Sequence, residues 1–122
     1  MYESLDLFQT SLALARHAGR RQALTAVNVA NADTPGYRAQ ALPSFAEVAS
    51  DASMKATRAG HLGGRAAPAA RAFDAPAEAS PNGNTVSLEA EMYASAQASR
   101  EHNQALAVWR HTTTVLRTVL AR

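Results

Sequence analysis

Large apolar side chains in this 122-residue chain are gathered at its two ends. Of the 28 residues that are Leu, Val, Phe, Met, Tyr or Trp, ten lie in residues 1–32 and eleven in residues 86–122. The 53 residues between hold only seven, and four of the five Pro lie there beyond residue 40, with Gly60, Gly63, Gly64 and Gly83. This placement predicts a mainly α fold. Two long terminal helices pack as an elongated, coiled-coil-like pair, joined by an irregular middle segment with room for short β structure. The chain reads as one structural subunit in three parts: an N-terminal helix over 1–32, a turn motif and loop segment over 33–85, and a C-terminal helix over 86–122.

The remaining apolar content is Ala, 29 residues of it, and there is no Ile. Ala favours helix but contributes little buried area, so a thick enzyme-like core is not expected. With zero Cys there is no disulfide framework, thiolate metal site or Cys nucleophile. His17, His61, His102 and His111 form no i, i+4 pair, and no carboxylate cluster accompanies them, so no metal site is expected. Glu89 and Glu91 point to different helix faces, and no phosphate loop or nucleophile motif occurs, so the expectation is no catalysis, no cofactor and no small-molecule substrate.

The C-terminal helix is the better marked of the two. Asn82-Gly83-Asn84-Thr85 is turn chemistry, and Ser87 is an N-cap before Leu88. From Leu88 a 4-3 spacing runs through Met92, Ser95, Ser99, His102, Leu106, Trp109, Thr113, Leu116 and Leu120, a heptad seam. In the N-terminal helix Ser4 is the candidate cap, and Leu5, Phe8, Leu12, Ala15, Gly19, Gln22, Ala26 and Val29 step in the same way. Leu7, Leu14, Leu24 and Val27 lie off that seam, so more than one face is apolar. The large residues are too few to hold a lone hairpin firmly, which points to an assembly subunit whose helices fold fully among copies or partners; the plainer alternative is a weak helical hairpin with ordinary scatter.

Pro35 disfavours α geometry at Thr34, so the first helix should stop near Asn31. Thr34-Pro35-Gly36-Tyr37 has the pattern of a type II turn, with Pro second and Gly third. Asn28 and Asn31, three apart on one face, either lock this turn or meet a neighbouring subunit; Asn31 as a left-handed C-terminal cap is the plainer alternative. Trp109 is either an intersubunit anchor or core against the first helix, and His102 is a polar insert setting register.

The stretch Asn28-Val29-Ala30-Asn31-Ala32-Asp33-Thr34-Pro35-Gly36-Tyr37-Arg38-Ala39 resembles the N-terminal signature of bacterial flagellar axial proteins, the rod and hook family. There a helix ending in Asn-x-x-Asn runs into Thr-Pro-Gly-Tyr. Leu5, Asp6, Phe8 and Gln9, then Arg20, Arg21, Gln22 and Leu24, add to the likeness, as do Thr57, His61-Leu62 and Asn82-Gly83-Asn84-Thr85-Val86. It departs from the family at Leu42-Pro43-Ser44-Phe45 and at Ser87. Within the family it most resembles the proximal rod subunits.

The resemblance implies a structural component of the flagellar basal body. Such subunits polymerise through both terminal helices into a periplasmic drive shaft that carries torque from motor to hook. Implied partners are other flagellar rod subunits and copies of itself, the MS ring through its adaptor subunit, and the flagellar type III export gate during secretion. Phe8 to Leu12 and Phe45 to Val48 resemble short export elements. The implied location is the rod within the periplasm, reached without a cleaved signal peptide. Interface and turn residues would be Asn28, Asn31, Thr34, Pro35, Gly36 and Tyr37; packing residues would be Leu5, Phe8, Leu12, Leu88, Met92, Leu106, Trp109, Leu116 and Leu120. The rival from another class is a small basic architectural nucleic-acid-binding protein using Arg16, Arg20 and Arg21. A net charge of only +2, with no recognition fold or aromatic interleaving, argues for no nucleic acid.

Overall fold

The computed structural model describes residues 2–53 and 70–120 and, within these, the side chains outside 2–5 and 51–53. The elements in order are α1 (Tyr2–Ala30), β1 (Gln40–Ala41), α2 (Phe45–Ser53), β2 (Phe73–Asp74) and α3 (Leu88–Leu120). The protein is mainly helical, and its two long terminal helices pack against each other with an irregular middle. Thr57 and His61-Leu62 lie outside the described residues, as does the side chain of Leu5.

The helical pair is antiparallel. Asn28 meets Glu91 at one end, Arg21 meets Glu101 in the middle, and the Phe8 and Trp109 rings meet at the other, centroids 6.0 Å apart. Buried residues on α3 are Glu91, Ala98, Ala105 and Thr112, each seven apart. On α1 the buried stripe contains Ser11, Ala18 and Thr25, also seven apart. This repeat is the heptad geometry expected of two helices that stay in contact over many turns.

Half of the sequence-derived seam is displaced by one residue. On α1, Ser11, Ala18 and Thr25 take the places assigned to Leu12, Gly19 and Ala26. On α3, Glu91, Ala98, Ala105 and Thr112 take those of Met92, Ser99, Leu106 and Thr113. Of the alternate positions, Phe8 stays in contact with Trp109, and the Ala15 carbonyl lies 3.3 Å from His102 Nδ1. Leu106 and Leu116 are half-buried. Leu88 and Leu12 are exposed, and Met92 and Leu120 are exposed at 72% and 81%. The physical reason is that the spacing of a helix pair follows the side chains at its contact, and Ser, Ala and Thr permit close approach. Larger side chains are thereby turned outward.

The middle segment returns across α1 in two short extended pieces. β1 and β2 pair antiparallel, Gln40 with Asp74 and Ala41 with Phe73. An Arg38–Asp74 ion pair at 3.4 Å, well exposed, braces the same ends. Between the strands lies α2, a helix the irregular-loop reading does not anticipate. Its start is a reciprocal capping box: the Ser44 N–H donates to Glu47 Oε2 at 2.8 Å, and the Glu47 N–H donates to Ser44 Oγ at 3.4 Å. These bonds from Ser44 hold the Glu47 carboxyl below its ordinary pKa.

Candidate functional site

The Asn28-to-Tyr37 motif forms one half of a clasp, and residues 80–86 form the other. α1 ends at Ala30, where the Asn31 N–H still reaches the Val27 carbonyl at 3.2 Å and the Ala32 N–H falls back to Val29. The last carbonyls of such a helix have no partners within it. Just past that end Asn84, 2% exposed, closes the chain from across the molecule: its Nδ2 group lies within 2.8–2.9 Å of the Asn31, Ala32 and Thr34 carbonyl oxygens. Its own Oδ1 accepts the Val86 N–H at 2.7 Å. Asn84 was legible in the sequence only as turn chemistry; its bonds to the carbonyls that follow α1 were not.

The turn that follows has the geometry its sequence specifies. The Tyr37 N–H bonds to the Thr34 carbonyl at 3.2 Å, and Gly36 sits at φ 70°. Gly83 at φ 80° backs directly onto it, and a Cβ on Gly83 would lie 3.4 Å from Gly36 Cα. The two turns are stitched by Gly36 N–H to Asn82 O and Thr85 N–H to Tyr37 O, both 3.0 Å. Asn31 is not in the left-handed region, which among the described residues only glycines occupy. Instead its Nδ2 donates to Val27 O at 2.8 Å and its Oδ1 accepts from Thr34 Oγ1 at 3.2 Å. Thr34 and Pro35 are exposed. Gly36→Val should cost on the order of 1–2 kcal/mol, because a β-branched residue is strained at positive φ. A melting temperature equal to that of the unsubstituted chain would refute the point.

Asn28 is the hub of the clasp and is 1% exposed. Its Nδ2 donates to the Gln40 carbonyl and to Glu91 Oε1, both at 2.8 Å. Its Oδ1 accepts the Gln40 N–H at 3.1 Å and the Tyr37 hydroxyl at 3.2 Å. An amide offers two donors and two acceptor lone pairs, so all four are used. One side chain thus ties α1 to the turn, to β1 and to the first turns of α3. Glu91 is nearly as buried, and its place near the α3 N-terminus suits its charge. Sequence spacing separates Glu91 from Glu89, but gives no sign that Glu91 turns inward toward α1.

Of the three arginines in the basic stretch, two are engaged within the chain. Arg21 Nη1 donates to both Glu101 carboxylate oxygens at 2.9 Å, and its Nη2 to Gln97 at 3.3 Å. Arg20 donates to the Ala70 carbonyl at 3.1 Å. They hold the fold rather than presenting a free phosphate-binding row. Among the described residues, no group of three or more metal-ligating side chains comes together.

The fold and clasp describe a class: a slender helical pair with an internally satisfied polar junction and an outward-facing set of large apolar residues. Residues 13–38 match the family model described as flagella basal body rod protein. The matched stretch runs along α1 through Asn28 and ends just past Tyr37, so it contains one half of the clasp. The likeness to that family is confined to this stretch of the 122-residue chain. No curated protein gives a significant match to the chain.

Proposed function

We propose that the chain is a proximal rod subunit of the flagellar basal body, of the FlgB type. It polymerises with copies of itself and with other rod subunits into the periplasmic drive shaft, seats on the MS ring through an adaptor, and passes the type III export gate to reach that place. Its role is structural and non-catalytic. Asn28, Asn31 and the Thr34-Pro35-Gly36-Tyr37 turn fix the subunit's shape, and the outward apolar residues carry its contacts.

The observation that carries this reading is the division of labour in the helical pair. Small residues close its seam, while Leu88, Met92, Tyr93, Val119 and Leu120 stand more than half exposed. Apolar side chains left out along a long helix mark a surface that another protein covers. The rod-family match over residues 13–38 supports the same reading independently.

The test is complementation of a strain lacking the chain. Met92→Asp and Leu120→Asp should leave the helicity of the purified protein unchanged and its unfolding free energy within about 0.5 kcal/mol of the parent, as exposed sites do. The same variants should fail to restore motility and rod assembly. Normal swimming with both substitutions would refute an assembly role for this face.

A further inference from the structure

His17 on α1 is 6% exposed and holds the start of α2 by a single bond. Its Nε2 lies 3.0 Å from the Pro43 carbonyl oxygen. That oxygen can only accept, so Nε2 carries the hydrogen and Nδ1 is left with a bare lone pair. Nδ1 is itself buried and has no hydrogen-bond partner among the described residues. The Phe45 ring meets the imidazole edge-on, centroids 5.7 Å apart and planes at 61°. Pro43 and Phe45 flank Ser44, the cap of α2, so one imidazole secures the point where the chain enters that helix.

The charged groups around His17 are Arg20 and Arg21 on its own helix and Glu101 on α3. The segment that packs on it from the α2 side presents a carbonyl and a phenyl ring, while Glu47, the acidic residue in the first turn of α2, is bonded to Ser44. Glu101 is already taken by Arg21 through both oxygens. A second proton on His17 would place an N–H without an acceptor, and a positive charge, in a buried site beside two guanidinium groups.

We propose that His17 is a proton-operated latch on the Pro43–Phe45 segment: neutral, it pins the head of α2 to α1, and protonated, it releases it. The Asn28 clasp and the α1–α3 seam stay closed in both states, because neither uses His17. Burial, the largest influence, lowers the His17 pKa from its ordinary 6.5; the Pro43 bond opposes it, and the arginines add to it. The closed form therefore binds fewer protons than the open form. Above about pH 6.5 the latch is at full strength, and it weakens as pH falls below that value, by up to about tenfold in the opening equilibrium per pH unit. The inference does not depend on the proposed rod function.

The experiment is amide hydrogen exchange on the full chain at about pH 7.5 and pH 5.5, corrected for intrinsic rates. Protection at Phe45–Val48, where the Val48 N–H bonds to Ser44 O, should fall at the lower pH, by at most about tenfold. Protection at Ala98 and Ala105 should not change. In His17→Gln, which keeps an N–H donor and does not titrate, the protection of Phe45–Val48 should be the same at both pH values. Flat protection in the parent, or an equal fall in His17→Gln, would overturn the latch. Nitrogen-15 shifts of the imidazole provide a second reading that needs no variant: a His17 pKa at or above 6.5, or an Nδ1–H tautomer, would also overturn it.

Discussion

Asn28→Asp should be among the most damaging single-atom changes available to this protein, lowering stability by about 3–5 kcal/mol at neutral pH. The substitution keeps the shape of the side chain and exchanges its Nδ2 for an oxygen. Two donated bonds disappear, to the Gln40 carbonyl and to Glu91 Oε1, each 2.8 Å long. In their place two carboxylates face each other at a position 1% exposed to solvent. Leaving a buried acceptor without its donor costs about 1–3 kcal/mol, and more when the acceptor is charged; here the Gln40 carbonyl and the Glu91 carboxylate both lose theirs, and a like charge is added beside Glu91. Against a total of roughly 5–15 kcal/mol for a domain of ordinary stability, that is a large share. Urea denaturation followed by circular dichroism measures it.

Two controls make the Asn28 result specific to the pair. Asn28→Asp combined with Glu91→Gln restores a donor between the two side chains, and should recover a substantial part of the loss as a non-additive coupling. The deficit of Asn28→Asp alone should also shrink as pH falls, because a proton shared between two facing carboxyls neutralises one of them and turns it into a donor. A variant within 1 kcal/mol of the parent at neutral pH would mean that the junction is not a buried hydrogen-bonded hub.

The architecture was legible because it rests on composition along the chain. Twenty-one large apolar residues at the ends and a Pro- and Gly-bearing middle suffice to place two terminal helices, and Pro35 with Gly36 suffices to place the turn. The hub of the clasp was only half legible. Asn28 could be singled out through its spacing from Asn31 and the motif it belongs to, but its partner Glu91 lies 63 residues away, and periodicity reports only neighbours three or four apart. Asn84 was hidden for the same reason. α2 left a local trace, Ser44-x-x-Glu47 ahead of Val48, that is a complete capping signature. It is nine residues long and has only two large apolar side chains, Phe45 and Val48, too short for a helical period to emerge.

The displaced seam has a different cause, and it leads to the second large effect. Choosing the heptad by side-chain size selects Met92, Leu106 and Leu120, yet the helices meet on Ala98 and Ala105. Ala98 is 0% exposed, and bonds from Arg21 to Gln97 and from Gln22 to Ser99 bracket it on both sides, so its Cβ faces α1 where the helices are tied together. Ala98→Leu would add three carbons at that point. The pair can accept them only by moving α1 away, which stretches the Arg21–Glu101 and Gln22–Ser99 bonds together, or by straining the rotamer. Overpacking of this kind costs typically 1–3 kcal/mol, and the upper end, about 3 kcal/mol, is expected here because both neighbours are anchored. Met92→Leu, at a residue 72% exposed, should change stability by less than about 0.5 kcal/mol, although the sequence periodicity ranks it as the seam position. The contrast is the test: if Ala98→Leu proved as mild as Met92→Leu in parallel thermal melts, the small-residue stripe would not be the contact that holds the two helices, and the assignment of the larger side chains to an outward, partner-facing surface would fall with it.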